Sequence, residues 1–253
     1  MEKLSEQRHQ VLNYGGGRQT VAMCILVAEG ALPRPDRVLI ADTGREADST
    51  WWYLYAHVRP MLRAIGMDVE IAQHTLATVD LHGKNGDLLL PVYTATGKFP
   101  TYCSNEWKAY VIQRYLRSVG IDDCENWIGF TVDESSRIKK DKAKCWTKRY
   151  PLIELMLTRS DCEKIILKYG LPLPPKSACW MCPHRNNEEW RFLRDNYPEQ
   201  FAAACKLDDE IREDDDEHAV YLHEQRVPLR EADLSVQDRG EPNRQCGLGF
   251  CMT

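Results

Sequence analysis

Short apolar runs alternate with longer stretches of helical periodicity along the first two-thirds of this chain. Val11-Leu12-Asn13-Tyr14 predicts a short strand entering a glycine turn. Thr20 to Glu29 predicts a helix with one apolar face, closed by Gly30. Arg37-Val38-Leu39-Ile40-Ala41 predicts a buried strand that ends at Asp42-Thr43-Gly44. A second helix is predicted over Ser49 to Ile65, stopped by Gly66, and a third strand over Met67 to Ala72. Residues 73–104 have little periodicity and predict a long functional loop. Glu106 to Val119 predicts a helix, and Trp127 to Thr131 a fourth strand running into Asp133-Glu134. Ser160 to Tyr169 carries an N-cap serine and Glu163 in capping-box spacing, with Gly170 behind it. A Pro-rich stretch, Leu171 to Pro175, marks a boundary; helices fill most of 187–213, and the tail from Asp214 is expected to be irregular.

Strands that alternate with helices predict a layered α/β fold around a parallel sheet. The expected organisation is an α/β nucleotide-binding domain over 1–175, with a helical, cysteine-bearing region over 176–253 packed on it. The 253 residues suffice for a large core, and 43% hydrophobic with 28% charged residues is ordinary for a globular chain. A net charge of −5 disfavours broad nonspecific nucleic-acid binding. No apolar run reaches the ~18 residues of a membrane span, and residues 1–10 lack the apolar core of a signal peptide, so a cytoplasmic protein is expected. The ten cysteines are then expected to be reduced. Cys24, Cys162 and Cys205 fall in helical patterns and read as small core hydrophobes.

Candidate chemistry gathers in three places. Gly15-Gly16-Gly17 follows a strand and precedes a helix, where backbone N–H groups and the helix dipole favour an anion; a plain tight turn is the alternative. The segment has neither the Gly-Lys-Ser/Thr of P-loops nor the spacing of dinucleotide folds. Arg137 to Arg149 holds seven basic residues and one acid. It reads as a solvated face or as an anion clamp for polyphosphate or an RNA backbone, with Trp146 as a stacking platform. The acidic Asp208 to Glu217 reads as a solvent-facing helix end and loop. Cys179-x-x-Cys182 is half a tetrahedral zinc site or half the ligand set of an iron–sulfur cluster, with two metal-free reduced thiols as the alternative.

The order of these elements resembles a known family. Gly16, Gly17 and Thr20 match the Ser-Gly-Gly-x-Asp-Ser/Thr loop of N-type ATP pyrophosphatases; Gly15 replaces its serine and Gln19 its aspartate. Asp42-Thr43-Gly44 matches the Asp-Thr-Gly of the PAPS reductase branch, although Asp42 also suits a simple turn. Trp127-Ile128-Gly129 with Asp133-Glu134-Ser135 and Arg137, then Arg149-Tyr150-Pro151-Leu152, then Gly170 ahead of the two cysteines, follow in that branch's order. The chain thus resembles PAPS reductase-like (CysH-like) proteins of the PP-loop superfamily over roughly residues 10–185. Such relatives also occur in phages and mobile elements, including type IV CRISPR loci.

The resemblance implies an adenine nucleotide α-hydrolase-like fold. It implies ATP with Mg²⁺, or a sulfonucleotide, across the strand ends. Gly15, Gly16, Gly17, Gln19, Thr20, Asp42, Thr43, Gly44 and Gly129 would form the nucleotide site, and Arg137 and Arg149 would act in catalysis. Cys103 stands where cluster-binding reductases carry a Cys-Cys pair; Cys103, Cys179 and Cys182 would be metal ligands for zinc or a [4Fe–4S] cluster. Cys145, Cys246 or Cys251 could be the fourth, with Cys251 the first choice. Gln245-Cys246-Gly247-Leu248-Gly249 resembles the reductases' Glu-Cys-Gly-Leu-His, whose cysteine is the nucleophile, with both polar neighbours replaced. The expected activity is cleavage of ATP at the α-phosphate. The alternatives are a PAPS or APS reductase using Cys246, and a noncatalytic nucleotide-binding accessory module with an RNA or protein partner.

Overall fold

The computed structural model describes residues 8–73, 80–138, 144–213 and 219–237. Cys246 and Cys251 lie outside the described residues, as does Lys139 to Ala143 of the basic segment. Five strands form one parallel sheet: β1 (His9–Asn13), β2 (Arg37–Asp42), β3 (Val69–Gln73), β6 (Cys124–Trp127) and β7 (Trp146–Arg149), in the order β3-β2-β1-β6-β7. The registers are in phase: Leu12 lies beside Val38 on one side and beside Trp127 on the other. β4 (Tyr93–Thr94) and β5 (Gly97–Lys98) form a small hairpin inside the expected long loop.

Helices cover both faces. On one face α1 (Arg18–Ala28) packs with α2 (Asp48–Tyr53), α3 (Arg59–Arg63), α5 (Pro151–Glu154) and α6 (Arg159–Lys168) around Leu12, Ile25, Leu62 and Trp127. On the other, α4 (Tyr110–Ser118) lays Val111, Ile112 and Leu116 against Val11 and Leu39. A third apolar cluster joins Leu89 to Trp107 with α7 (Asn187–Asn196), α8 (Pro198–Glu213) and the chain out to Leu234. Asp208, fully buried on α8, holds that last stretch by accepting the N–H of Leu222 (2.7 Å) and of Leu229 (2.8 Å). Cys24 and Cys162 lie in the first cluster and Cys205 in the third, as core side chains. No described helix is long and apolar enough to cross a membrane.

Four local expectations shift. The helix over Ser49 to Ile65 is divided by a π-helical turn, Leu54–Val58. Pro60 follows at the start of α3, where its missing N–H costs least. The fourth strand ends at Trp127 rather than beginning there, because the polar run before it pairs with β1 from His9↔Cys124 onward. β7 lies in the basic segment and was hidden by its charge. The capping box uses Thr158 and Asp161, not Ser160 and Glu163: Thr158 accepts the N–H of Asp161, and Asp161 accepts the N–H of Thr158. Glu163 is instead drawn into an ion pair with Arg18, and Asp133 accepts the Arg159 N–H (2.7 Å).

Candidate functional site

The strand order reverses between β1 and β6, since β2 and β3 lie on one side of β1 and β6 and β7 on the other. A crevice opens at such a switch point beyond the carboxyl ends of the strands. At that point here lie the glycine turn after β1 and the Ile128–Thr131 stretch after β6, packed against one another and buried. Gly16 takes φ +79°, which favours glycine, and Gly17 is the N-cap of α1 without a side chain to cap it. The first turn of α1 carries no acidic residue of its own and no side chain caps it. Two buried polar atoms at this end of β1, Asn13 Oδ1 and the Tyr14 hydroxyl, have no partner among the described residues. Ordered water or a ligand commonly makes good such a deficit. Burial pushes the Tyr14 phenol well above its ordinary range, so it stays a neutral donor.

The residues read as nucleotide contacts divide into turn builders and crevice walls. The Thr20 hydroxyl accepts from the Gly15 N–H (3.3 Å) and donates to the Gly17 carbonyl (3.1 Å), so it braces the turn. Gln19 donates to Glu134 (3.1 Å). Asp42 accepts the Gly44 N–H (2.8 Å), with Gly44 at φ +65°, which makes it a turn former in this structure. Thr43 is fully buried; its hydroxyl accepts the Arg45 N–H and lies 3.7 Å from the Cys179 sulfur. At Gly129 an added Cβ would come within 2.9 Å of the Thr20 methyl, so this glycine keeps the β6 loop against the glycine turn.

Arg137 and Arg149, expected to act on substrate, are both engaged with acids. Arg137 pairs with Glu134, which is 1% exposed, and lies over the Phe130 ring. Arg159, which the sequence did not single out, pairs with the same carboxylate at 3.0 Å. Thr131 and Gln19 complete the surroundings of Glu134. Arg149 forms a two-nitrogen pair with Glu154 and covers the Trp127 ring; the Glu154 hydrogen bonds raise its pKa. Both side chains are held by acids in this structure. Trp146 is half-buried with the Arg117 guanidinium 5.7 Å from its ring centre, so one face of the expected stacking platform is covered.

The cysteine turn sits beside the glycine turn. Residues 45–47 pair with 178–180: Ala47 N–H reaches the Ala178 carbonyl (3.2 Å), and Trp180 N–H the Arg45 carbonyl (2.9 Å). Cys182 N–H closes the turn on the Cys179 carbonyl (3.1 Å). Arg185, 4% exposed, donates to the carbonyls of Ala178 (3.2 Å) and Cys179 (3.2 Å) and so fixes the turn from behind. Ser177 donates to the Gly15 carbonyl, which joins the two turns directly. Glu46 lies between them, 6% exposed, accepting from Thr50 (3.4 Å), with the Ser177 hydroxyl oxygen at 3.4 Å and the Lys108 ammonium at 3.7 Å. Burial foremost, then the Glu46 charge, pushes the Cys179 thiol up to about 12, while Lys108 and the Thr43 hydroxyl oppose the shift.

Among the described residues no group of three or more His, Cys, Asp or Glu is arranged to hold a metal ion. Cys179 and Cys182 share one turn, but Cys103, whose N–H bonds the Leu89 carbonyl (3.1 Å), is not assembled with them into a ligand set. The described donor set thus supplies two of the four expected thiols in one turn. The residues that sequence reasoning missed are Glu46, Lys108, Glu134, Arg159, Ser177 and Arg185. Glu134 lay in a motif and Ser177 led into the Cys-x-x-Cys; the others are polar residues isolated in the sequence whose full or partial burial the topology creates.

A parallel five-stranded α/β fold with a glycine turn at its switch point defines the class. No family model matches the chain, and no curated protein matches it. Among solved structures it is similar to the phosphoadenylyl-sulfate (PAPS) reductase from Candida auris, in a phosphate complex. The identity is 12% and the TM-score 0.44, over 68% of this chain and 78% of that one. It is also similar to the U34-tRNA thiolase NcsA from Methanococcus maripaludis with its [4Fe-4S] cluster, at 15% identity and TM-score 0.43, over 82% of this chain and 72% of that one.

Proposed function

We propose that this protein is a PAPS reductase-like, adenine-nucleotide-binding enzyme that binds ATP in the crevice between β1 and β6 and cleaves it at the α-phosphate. The observation that carries this reading is the uncapped start of α1 behind Gly15-Gly16-Gly17, set at the switch point. Backbone N–H groups there would hold the phosphate oxygens and stabilise charge that develops in the transition state. Gln19 stands where the related loops carry a carboxylate, and its amide is committed to Glu134. The turn itself therefore offers no carboxylate to a metal, and Mg²⁺ would arrive on the triphosphate. Arg137 and Arg159 act through Glu134, which holds Gln19 and so the first turn of α1.

Of the four expected ligands of zinc or a [4Fe–4S] cluster, Cys179 and Cys182 would be the two that one turn offers; Cys103 is not assembled with them, and Cys251 lies outside the described residues. A reductase reading rests on Cys246, and a noncatalytic nucleotide-binding reading rests on the replaced Ser and Asp positions of the turn. Incubation with ATP and Mg²⁺ distinguishes the readings. AMP, or an adenylylated acceptor, with pyrophosphate supports the proposal, whereas ADP and phosphate reject it. Sulfite from PAPS or APS with a thiol reductant supports the reductase, and tight ATP binding without product supports the accessory module. Gly17→Val places a side chain at the N-cap; a folded variant that binds ATP as tightly as the parent would overturn the placement.

A further inference from the structure

A second cleft of about 660 Å³ opens on the outer side of the helix that carries Lys108. One wall is the exposed face of the π-helical turn Asn105–Ala109 and α4, presenting Tyr110, Gln113, Arg114 and Arg117. The other is the loop around Lys84, a preformed turn in which Gly83 N–H bonds the Asp87 carbonyl (2.8 Å) and Gly86, at φ +84°, bonds back to Gly83 (2.9 Å). Tyr102 lies between the walls; it and Tyr110 are each 45% exposed. The same stretch of helix sends Lys108 inward to Glu46, so this cleft and the strand-end crevice lie on different sides of one element.

The lining has an unusual mixture for a chain of net charge −5. Two large aromatic rings are left half in solvent beside three cations. Lys84 and Arg114 make no ion pair with any described residue, while Arg117 reaches over Trp146. Asp87 and Glu106 supply acceptors in the same cleft. A ligand that uses all of these has a planar ring to stack, an anionic group for the cations, and N–H or O–H donors for the carboxylates. Those are the parts of a nucleotide. The volume falls in the ~300–1,000 Å³ range of small-ligand sites.

We propose that the cleft between the Lys84 turn and the outer face of α4 is a second nucleotide-recognition site, which takes one nucleotide unit with its base on Tyr102 and Tyr110 and its phosphate on Lys84, Arg114 and Arg117. This site goes beyond the strand-end ATP reading and does not depend on it. The unit belongs to a single-stranded RNA or is a free nucleoside monophosphate. The test is fluorescence anisotropy of the full chain with a fluorescein-labelled single-stranded RNA hexamer of mixed sequence. Unlabelled hexamer and a mixture of the four nucleoside monophosphates are the competitors.

The expected result is saturable binding that Lys84→Glu with Arg114→Glu weakens by at least about 10-fold and Tyr110→Ala by about 5- to 100-fold, the range for loss of one stacked base. Gly17→Val, which addresses only the strand-end crevice, leaves the hexamer affinity unchanged. Displacement by monophosphates as readily, per nucleotide, as by hexamer assigns the site to a free nucleotide. Displacement by hexamer alone assigns it to a strand. All the charge and tyrosine variants lie on exposed positions, and their urea midpoints should match the parent. Absence of saturable binding both by the hexamer and by the monophosphates in isothermal titration calorimetry overturns the proposal. So do cleft variants within twofold of the parent, or loss of binding in Gly17→Val.

Discussion

Replacing Gly16 by alanine should expose how the glycine turn and the cysteine turn are packed together. An added Cβ would lie 2.4 Å from the Thr50 Cγ2 and 3.2 Å from the Ser177 Cβ and Oγ. The backbone there is also at φ +79°, which costs an L-residue about 1–2 kcal/mol. The overlap with Thr50 adds about 1–3 kcal/mol of overpacking strain. Gly16→Ala should therefore lose about 2–5 kcal/mol in urea unfolding. The two contributions can be separated. Thr50→Ser removes the clashing methyl but keeps the hydroxyl that donates to Glu46. In the Gly16→Ala background, Thr50→Ser should recover about 1–2 kcal/mol, while alone it should be mildly destabilising. The backbone contribution should persist in the double variant. Strictly additive effects of the two substitutions would refute the packing assigned to this junction.

Three further outcomes follow from buried groups. The thiols of Cys124, Cys162 and Cys179 are each pushed from an ordinary value near 9 up to about 12 by burial. Above pH 9 the unfolded chain then releases protons that the folded chain keeps, so stability should fall between about pH 9 and 12, by about 1.4 kcal/mol per pH unit for each such thiol. Urea curves at pH 8, 9 and 10 check the sign, and Cys162→Ala should flatten the slope. Asp208→Ala strands two backbone donors and part of the Arg212 pairing, and should cost about 3–5 kcal/mol; a loss below 1 kcal/mol would refute its anchoring role. Zinc or iron and sulfide measured in protein purified without oxygen should fall together in Cys179→Ala and Cys182→Ala if the turn holds a metal; metal retained by both variants would locate it elsewhere.

The sequence made the periodic parts of the molecule legible. Apolar runs at Val38 to Ala41 and the helix behind the glycine turn are patterns that burial on both faces of a parallel sheet imposes. β7 was not legible, because Trp146–Arg149 is an edge strand of half-buried residues whose lysine and arginine outweigh any apolar signal. The site was legible only where a motif is local: the turn at Gly15–Gly17, the Asp42 turn and the Cys-x-x-Cys. Glu46, Lys108 and Ser177 carry no pattern, because each is one polar residue in a different segment. Their meeting is a property of the topology, which brings Glu46 from behind β2, Lys108 from ahead of α4 and Ser177 from the chain after α6 to one buried point.

That meeting joins the cysteine turn to the glycine turn through buried hydrogen bonds. Ser177 is two residues before Cys179 and donates to the Gly15 carbonyl; its oxygen also lies within hydrogen-bond reach of Glu46. Glu46 acts on both sides, since its charge raises the Cys179 pKa and its carboxylate holds Thr50, which packs on Gly16. A phosphate drawn to the start of α1 would bring negative charge toward this cluster, where burial already disfavours a Cys179 thiolate. Proton loss or metal ligation at Cys179 would add charge at the same point. Anion binding and thiolate formation are therefore expected to oppose one another unless a cation, Lys108 or a bound metal, compensates. Lys108→Met should deepen that opposition: it should slow alkylation of Cys179 by iodoacetamide relative to the parent, and added ATP should slow it further. Unchanged alkylation in both conditions would sever the proposed link between the two turns.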